Sequence, residues 1–262
     1  MLENKVVAIT GASGGIGRAI ADMCISKGAR VAISDLTCPR DVSQNNDVKS
    51  YKCDVSHEGD IKAFIGAVER DLGPIDMFVA NAGVGYGDGV NGMVAGGDND
   101  TWEKSFQINL MQSVYASRAL LPEWVKRGEG RFVVTASAAG LINQVGSASY
   151  TASKHAAVAF AESLAISHGG DGIKAHCICP QYVNTNMTKD MNIAKNGPDP
   201  FLEPGDVATA LFEAMKTDRF LVLPHPKVAE YEMFRVSDRD KWIDAMTRIH
   251  DKFIRGAKGG LK

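Results

Sequence analysis

The sequence predicts an α/β protein built on a doubly wound parallel sheet of about seven strands, with helices on both faces. Short strand-like runs alternate with longer helix-like segments as far as residue 223. Several strand-like runs, such as 6–9 and 77–80, are apolar throughout, which is typical of strands buried on both faces of a parallel sheet. Right-handed crossovers are expected to join them. A chain of 262 residues can bury a large core as one domain.

The individual elements follow from periodicity and from turn residues. Strands are predicted at residues 5–10, 30–34, 49–53, 77–80, 131–135, 174–179 and 220–223. Helices are predicted at 16–27, 58–72, 101–126, 150–168 and 205–215, followed by a long helical tail at 228–255. Gly28, Gly73 and Gly128 are expected to cap three helices at their C-termini, and Asp100 with Glu103 predicts a capping box.

No linker divides the chain, so a single domain over residues 1–262 is predicted. We expect a cofactor-binding part at 1–136, a catalytic and substrate part at 137–224, and the helical tail at 225–262.

Composition excludes several classes of function. A net charge of −2 provides no basic surface for nucleic acid or for an acidic membrane. No apolar run approaches the ~20 residues of a membrane span, and the first residues lead directly into a strand without room for a signal peptide. Five cysteines without a Cys-x-x-Cys pair predict reduced thiols and a cytoplasmic protein. The histidines and cysteines show no ligand spacing, so no metal is predicted.

A glycine-rich segment lies where the first predicted strand gives way to the first helix. Glycines allow a sharp turn and a close approach of the backbone to a ligand, and the following helix offers free N–H groups to a pyrophosphate. A tight turn without a ligand is the alternative interpretation. The position of the segment favours a dinucleotide site of the Rossmann type. The residues expected to contact the cofactor are Gly11, Ser13, Gly14, Gly15, Ile16 and Gly17.

Asp35 ends the second predicted strand, eighteen residues after Gly17. This is close to the ~20 residues at which an acidic side chain meets the adenosine ribose of a bound dinucleotide. A carboxylate there accepts hydrogen bonds from the ribose hydroxyls and repels a 2′-phosphate. We therefore predict NAD as the cofactor. Arg40 lies near enough in the sequence to keep NADP as an alternative.

Tyr150 and Lys154 lie four residues apart in a predicted helix, so they share one helix face. A tyrosine has an ordinary pKa of about 10, and a nearby cation lowers it. A tyrosine with a lowered pKa can exchange a proton with an alcohol or a carbonyl oxygen. Because this spacing is common, two side chains on a solvated face are the alternative interpretation.

Together these residues resemble the short-chain dehydrogenase/reductase family, of the NAD-dependent alcohol dehydrogenase or ketone reductase type. The resemblance extends to about Met215. Its motifs are the cofactor loop of residues 10–17, the pair Asp54 and Val55, the element Asn81-Ala82-Gly83, then Asn109, Ser137, and Tyr150 with Lys154. Each motif alone has an ordinary structural explanation, and it is their common order and spacing that favour the family.

The resemblance implies four catalytic residues. Ser137 would hold the substrate oxygen against Tyr150, the general acid or base. Lys154 would lower the pKa of the tyrosine and hold the nicotinamide ribose, while Asn109 would hold a water that links Lys154 to solvent. The remaining implied cofactor contacts are Asp54, Val55, Asn81, Ala82, Gly83, Pro180, Val183 and Thr185, besides Tyr150 and Lys154.

Substrate selection is expected in the loop of residues 84–100, in the segment after Ser137, and in a helical lid over 182–201 that includes Met191 and Ile193. Gln181 stands where the family usually has glycine, so its side chain is expected near the site. The residues predicted to bind substrate are Ser137, Gln144, Tyr150, Gln181, Tyr182 and Met187.

The hypothesis is an oxidoreductase that transfers a hydride between NAD(H) and a largely apolar secondary alcohol or its ketone. The alternatives are an NADP(H)-dependent carbonyl reductase, a catalytically silent dinucleotide-binding regulatory protein, and an epimerase or dehydratase of related fold. The expected partner is a small-molecule substrate, not nucleic acid or a membrane. The resemblance also implies a homodimer or homotetramer through the long helices at 101–126 and 150–168, with the unusual tail altering the tetramer contact.

Overall fold

A computed structural model describes residues 2–38, 47–89, 92–189 and 199–252. Seven parallel strands form one sheet in the order β3-β2-β1-β4-β5-β6-β7. The strands are β1 Val6–Thr10, β2 Arg30–Asp35, β3 Val48–Lys52, β4 Met77–Ala80, β5 Gly130–Thr135, β6 Ile173–Ile178 and β7 Leu221–Val222. The predicted doubly wound sheet is therefore confirmed. The division of the chain into cofactor, catalytic and tail parts stays a prediction.

Helices cover both sides of the sheet, and the last two follow its final strand. They are α1 Gly15–Ser26, α2 Glu58–Leu72, α3 Asn99–Phe106, α4 Gln112–Arg127, α5 Ala139–Ile142, α6 Ala148–His168, α7 Pro204–Lys216, α8 Lys227–Ser237 and α9 Arg239–His250. A π-helical segment, Gln107–Met111, joins α3 to α4. Among the described residues, none of the helices has the length and apolarity needed to cross a membrane.

The two central strands explain where a ligand site can form. All residues of β1 and β4 are buried, which accounts for their continuous apolar sequences. β1 pairs with β2 on one side and with β4 on the other. The strand order therefore reverses at β1: β2 and β3 extend the sheet to one side, and β4 to β7 extend it to the other. In open α/β sheets this switch point leaves a crevice at the carboxyl ends of the strands.

Large side chains fill the core on one face of the sheet. The rings of Phe78 and Phe132 stack at 5.6 Å, and Trp124 meets Phe132 edge-on at 6.3 Å. The indole N–H of Trp124 donates to the Ile75 carbonyl oxygen at 2.8 Å, so its polar atom is satisfied. Burying each such ring stabilises the fold by roughly 2–3 kcal/mol. This packing fixes α4 against the strands that carry the site.

The predicted third helix differs from the observed one at its start and in its middle. Asp98, not Asp100 with Glu103, caps α3, because its carboxylate accepts from the Thr101 amide at 2.8 Å. The predicted capping box was therefore wrong, because the helix is capped two residues earlier than predicted. The helix is also interrupted by the π-helical segment around buried Asn109.

The predicted continuous tail helix, 228–255, is wrong. Asp238 has an extended backbone (φ −150°) between α8 and α9, and its carboxylate accepts from the Lys241 amide at 3.0 Å. An aspartate bonded in this way favours a helix start over a helix interior. Helix α5 was not predicted. Predictions concerning Arg40, Met191, Ile193 and the chain beyond residue 252 lie outside the described residues.

His176 is a fully buried titratable residue of strand β6. Its Nδ1–H donates to the Arg219 carbonyl oxygen at 2.7 Å, and its Nε2 accepts from the Arg131 guanidinium. Acceptance at Nε2 requires the neutral ring, because both ring nitrogens carry a proton when histidine is charged. Burial lowers the pKa of His176 to about 4.

Lowering the pH from 7 to 5 should therefore destabilise the fold. Between the ordinary histidine pKa of 6.5 and about 4, the unfolded chain binds more protons at His176 than the folded chain does, so stability falls as the pH falls through this window. The contribution of His176 is about 2 kcal/mol. Urea unfolding at both pH values should show that His176→Gln loses about 2 kcal/mol less than the wild type. Equal losses would contradict the assignment.

Candidate active site

A cavity of about 670 Å³ opens at the carboxyl ends of the strands. It is lined by the loops that follow β1, β4, β5 and β6 and by the first turns of α6. Of the residues predicted from the sequence to form the site, only Gly17 and Asn109 lie outside its lining. The two predicted sets, for cofactor and for substrate, thus come together in one crevice.

Three glycines of the loop after β1 lie so close to neighbouring residues that a side chain would not fit there. Gly11 has a φ of +62°, and a Cβ added there would lie 2.6 Å from the Cα of Ala82. Gly15 has a φ of +57°, and a Cβ added there would lie 3.2 Å from Cγ2 of Thr185. A Cβ on Gly17 would overlap the Asn81 amide, so Gly17 serves packing behind the loop. The loop leads into the N-terminus of α1, where free N–H groups suit a pyrophosphate.

A hydrogen-bond network ties this loop to the next strand. The Asn81 side-chain amide donates to the carbonyl oxygens of Thr10 and Gly11, both at 3.0 Å. The Thr10 hydroxyl accepts from the amides of Asn81 and Ala82 and donates to Gln112 at 2.8 Å. Gln112, which is buried, donates in turn to the Ala82 carbonyl oxygen. The carboxyl ends of β1 and β4 are therefore fixed against α4.

Two acidic side chains lie at the outer end of the cavity. The Asp35 carboxylate accepts from the Ser13 amide at 3.1 Å and from the Leu36 amide at 2.8 Å, which holds it beside the glycine loop. Burial raises the pKa of Asp54, but hydrogen bonds from Ser56 outweigh that effect and leave the pKa below its ordinary value. Asp54 therefore stays ionised near neutral pH. The Asp54 carboxylate also caps the turn that follows it, because it accepts hydrogen bonds from the backbone amide and the hydroxyl of Ser56.

Three of the four predicted catalytic residues line the inner end of the cavity. Ser137 follows β5, is buried, and lines the same cavity as Tyr150 in the first turn of α6. Lys154 lies one turn further along, with its Nζ 5.8 Å from the centre of the Tyr150 ring. The same Nζ donates to the Thr135 carbonyl oxygen at 2.8 Å.

Burial is the main cause of the pKa shifts of Tyr150 and Lys154. Burial raises the pKa of Tyr150, and the hydrogen bond with Ser137 partly opposes the rise. Burial lowers the pKa of Lys154 to about 8, so this ammonium gives up its proton far more readily than an ordinary lysine. The lowering of the tyrosine pKa by Lys154 stays a prediction.

Asn109, the fourth predicted catalytic residue, lies behind the cavity in the π-helical segment. Its amide oxygen accepts from the Val84 amide at 2.9 Å, and its nitrogen donates to the Val84 carbonyl oxygen and to the Ser153 hydroxyl. These bonds offset the cost of a buried amide. Asn109 therefore ties the loop after β4 to α6. Its predicted role as a water ligand is untested.

The loop after β6 forms the remaining wall. The Pro180 carbonyl oxygen accepts a hydrogen bond from the Ala138 backbone amide at 2.9 Å. The backbone amide of Gln181 donates a hydrogen bond to Nδ1 of His225 at 3.2 Å. Val183 forms a bridge with Leu202, which holds this loop to the segment before α7.

The comparisons with known proteins agree with this geometry. The short chain dehydrogenase family model matches residues 5–196. The chain belongs to the short-chain dehydrogenase family. It is therefore a hydride-transferring oxidoreductase with a nicotinamide dinucleotide cofactor.

Relatives of this short-chain dehydrogenase include reductases and dehydrogenases. A sorbose reductase of Candida albicans is 34% identical over 195 residues, covering 71% of this chain and 69% of the relative. A probable NADP-dependent mannitol dehydrogenase of Yarrowia lipolytica is 33% identical over 196 residues, with 71% and 69% covered. A crystal structure of a short-chain dehydrogenase/reductase from Burkholderia phymatum in complex with NAD has a TM-score of 0.77 and 26% identity, covering 91% of this chain and 95% of that one.

Sequence analysis of this short-chain dehydrogenase missed several residues that shape the site. Gln112 and His225 support it from behind, and Tyr86 and Ser147 line it. A buried glutamine in a helix gives no local signal, and His225 follows the last strand, far along the chain from the loop it supports. The Gly87 and Gly85 that flank Tyr86 could have indicated a tight path beside a ligand.

The loop of this short-chain dehydrogenase should tolerate a methyl group at Gly14 but not at Gly11. Gly14 has an extended backbone (φ −165°) with no atom within 4 Å of an added Cβ, whereas Gly11 combines a positive φ with close contact to Ala82. Gly11→Ala should lower the free energy of unfolding without cofactor by roughly 2–4 kcal/mol, and Gly14→Ala by less than about 1 kcal/mol. Denaturant unfolding measures both, and equal losses would argue against the described loop.

Proposed function

We propose that this short-chain dehydrogenase interconverts a secondary alcohol and its ketone with NAD(H), using Ser137, Tyr150 and Lys154. The observation that carries the proposal is the placement of Ser137, Tyr150 and Lys154 together at the inner end of a cavity whose outer end is the glycine loop. A bound nicotinamide supplies the hydride acceptor or donor. The relatives named as a sorbose reductase and a mannitol dehydrogenase support the alcohol and ketone class.

The roles follow from the chemistry of the side chains. Ser137 donates to the substrate oxygen and orients it toward the Tyr150 hydroxyl. During oxidation Tyr150 takes the hydroxyl proton, and during reduction it gives a proton to the carbonyl oxygen. Lys154, with a pKa lowered to about 8 by burial, can pass that proton on near neutral pH. Asn109 positions the loop after β4 and α6 around these groups.

The residues present fit a dinucleotide. Gly11 and Gly15 provide the positive-φ turn, and the free N-terminus of α1 would hold the pyrophosphate. Asp35, held by the Ser13 amide, would accept hydrogen bonds from the adenosine ribose, which favours NAD. Asp54 with Val55 would flank the adenine, while Asn81-Ala82-Gly83, Pro180, Val183 and Thr185 would line the nicotinamide half.

Two alternatives remain within the proposal. An NADP(H)-dependent carbonyl reductase is favoured by the name of the NADP-dependent relative, and Asp35 counts against it. A silent regulatory protein would need no reactive tyrosine, and the placement of Tyr150 in the cavity with Ser137 and Lys154 counts against that role.

We also propose a homodimer or homotetramer. Helix α6 presents Ile166 with 83% of its surface exposed, and α4 presents Val125. Exposed apolar side chains on long neighbouring helices suit an interface between copies.

Tyr150→Phe should lower kcat by about 10³-fold while the dissociation constant for NADH changes by less than about threefold. The substitution removes only the hydroxyl that moves the proton. Stopped-flow turnover and NADH fluorescence titration measure the two quantities. Tyr115→Phe, which removes a hydroxyl bonded to exposed Gln107, is the matched control and should keep its turnover. Undiminished turnover in Tyr150→Phe would refute the mechanism.

Asp35→Asn should reduce the preference for NAD over NADP by roughly 10- to 100-fold in kcat/KM. It removes the charge that repels a 2′-phosphate while keeping an oxygen that can accept from Ser13. Steady-state kinetics with both cofactors measures the ratio. Asp22→Asn, which neutralises an exposed carboxylate paired with Arg18, is the control. A wild-type enzyme that already prefers NADPH would overturn the NAD assignment.

A further inference from the structure

Gly85, in the loop after β4, lies directly in front of Tyr150. If a Cβ is added at Gly85, its three nearest atoms are Sδ of Met187 and Cδ2 of Tyr150, both at 3.7 Å, and Cε2 of Tyr150 at 3.8 Å. Cε2 adjoins the ring carbon that carries the hydroxyl. All three residues line the cavity, where Gly85 and Met187 are exposed. A side chain at this position would therefore point toward the proton-transferring group.

Neither the backbone nor close packing requires a glycine here. Gly11 has a positive φ and would bring a Cβ to 2.6 Å from Ala82, whereas Gly85 lies outside the left-handed region and its added Cβ meets no atom closer than 3.7 Å. Separations of this size are ordinary van der Waals contacts. A larger residue would therefore fit without straining the fold. What glycine provides at this position is an open space between Tyr150 and Met187, the Gly85 gap.

The contacts of the two loops that border this gap favour the substrate as its occupant. Gly83, two residues earlier in the chain, faces Lys154, the side chain expected to hold the nicotinamide ribose, since its added Cβ would lie 3.4 Å from Nζ. In the loop after β6, Thr185 lies against the glycine loop, and Met187 follows two residues later. Both loops thus pass from expected cofactor contacts to Tyr150. The nearest wall atoms are aromatic carbons and a thioether sulfur, which suit an apolar group.

We propose that Gly85 is a specificity-determining residue, because its missing side chain admits an apolar substituent larger than methyl beside Tyr150. The substrate class then includes dialkyl secondary alcohols and ketones, in which both substituents of the reacting carbon exceed a methyl group. A side chain at this position would fill the Gly85 gap and leave only methyl ketones and methyl carbinols as good substrates. The proposal rests on the proposed function, since Tyr150 must hold the reacting oxygen.

Two isomeric ketones, reduced with NADH, test the proposal. 2-Heptanone can place its methyl group in the Gly85 gap, whereas 4-heptanone must place a propyl group there. Gly85→Val should lower kcat/KM for 4-heptanone by about 10-fold or more and for 2-heptanone by less than about threefold, since overlap with a methylene or two costs this much. Gly85→Ala should have an intermediate effect. Gly66→Val, the same change at an exposed position of α2 where an added Cβ meets no atom within 4 Å, should leave both values unchanged.

A second substitution distinguishes a filled gap from a general disturbance of the site. Met187→Ala removes the thioether from the opposite wall. Added to Gly85→Val, it should raise kcat/KM for 4-heptanone by about threefold or more over Gly85→Val alone, because it reopens the space. Equal losses for the two ketones in Gly85→Val, with no recovery in the double variant, would overturn the proposal.

Binding separates this proposal from the proposed function. Dissociation constants for NADH, and for each ketone with the full chain loaded with NADH, are measured from NADH fluorescence. Absence of turnover with both ketones would reject the proposed function, while weaker binding of 4-heptanone alone in Gly85→Val would still support the Gly85 gap. NADH affinity should stay within about threefold of wild type in Gly85→Val. A loss of NADH affinity as large as that for 4-heptanone would assign the gap to the nicotinamide and overturn the proposal, as would a wild type that neither binds nor reduces 4-heptanone.

Discussion

The hydrogen bonds between Thr10 and Asn81 hold the carboxyl ends of the two central strands together. The Thr10 hydroxyl accepts hydrogen bonds from the backbone amides of Asn81 and Ala82. The Asn81 side chain in turn donates to the carbonyl oxygens of Thr10 and Gly11. Because Gln112 joins the same network, the position of α4 depends on it as well. This network of polar groups bonds directly to the glycine loop and, through Gln112, to the π-helical segment. Helix α6 is bonded to that segment in turn, through Asn109 and Ser153.

The parts of the fold that were predictable are those with a local cause. Continuous apolar runs identified β1 and β4, since strands buried on both faces need them. The break of the tail at Asp238 was missed because a helical apolar stripe continues on both sides of it. The π-helical turn was missed because it depends on Asn109 bonding to Val84 and Ser153, which are distant in the chain.

The candidate site shows the same division. The motif residues of the cofactor loop and of α6 were predictable because each occupies a fixed place relative to a strand or a helix. Gln112 and His225 were not, since their partners Thr10 and Gln181 are 102 and 44 residues away in sequence. The Gln181 departure from the family was visible in the sequence, but only the packing around it shows that Oε1 is buried and accepts no hydrogen bond from the residues that the structure describes.

The pairing of β1 with β4 has a consequence for how the chain folds. It joins segments about 70 residues apart, so the crevice exists only after a long loop has closed. A binding site completed so late is lost as soon as the sheet opens. Bound dinucleotide should therefore slow proteolysis of the entire described sheet, in proportion to ligand concentration over its dissociation constant, and not merely that of the nearby loops.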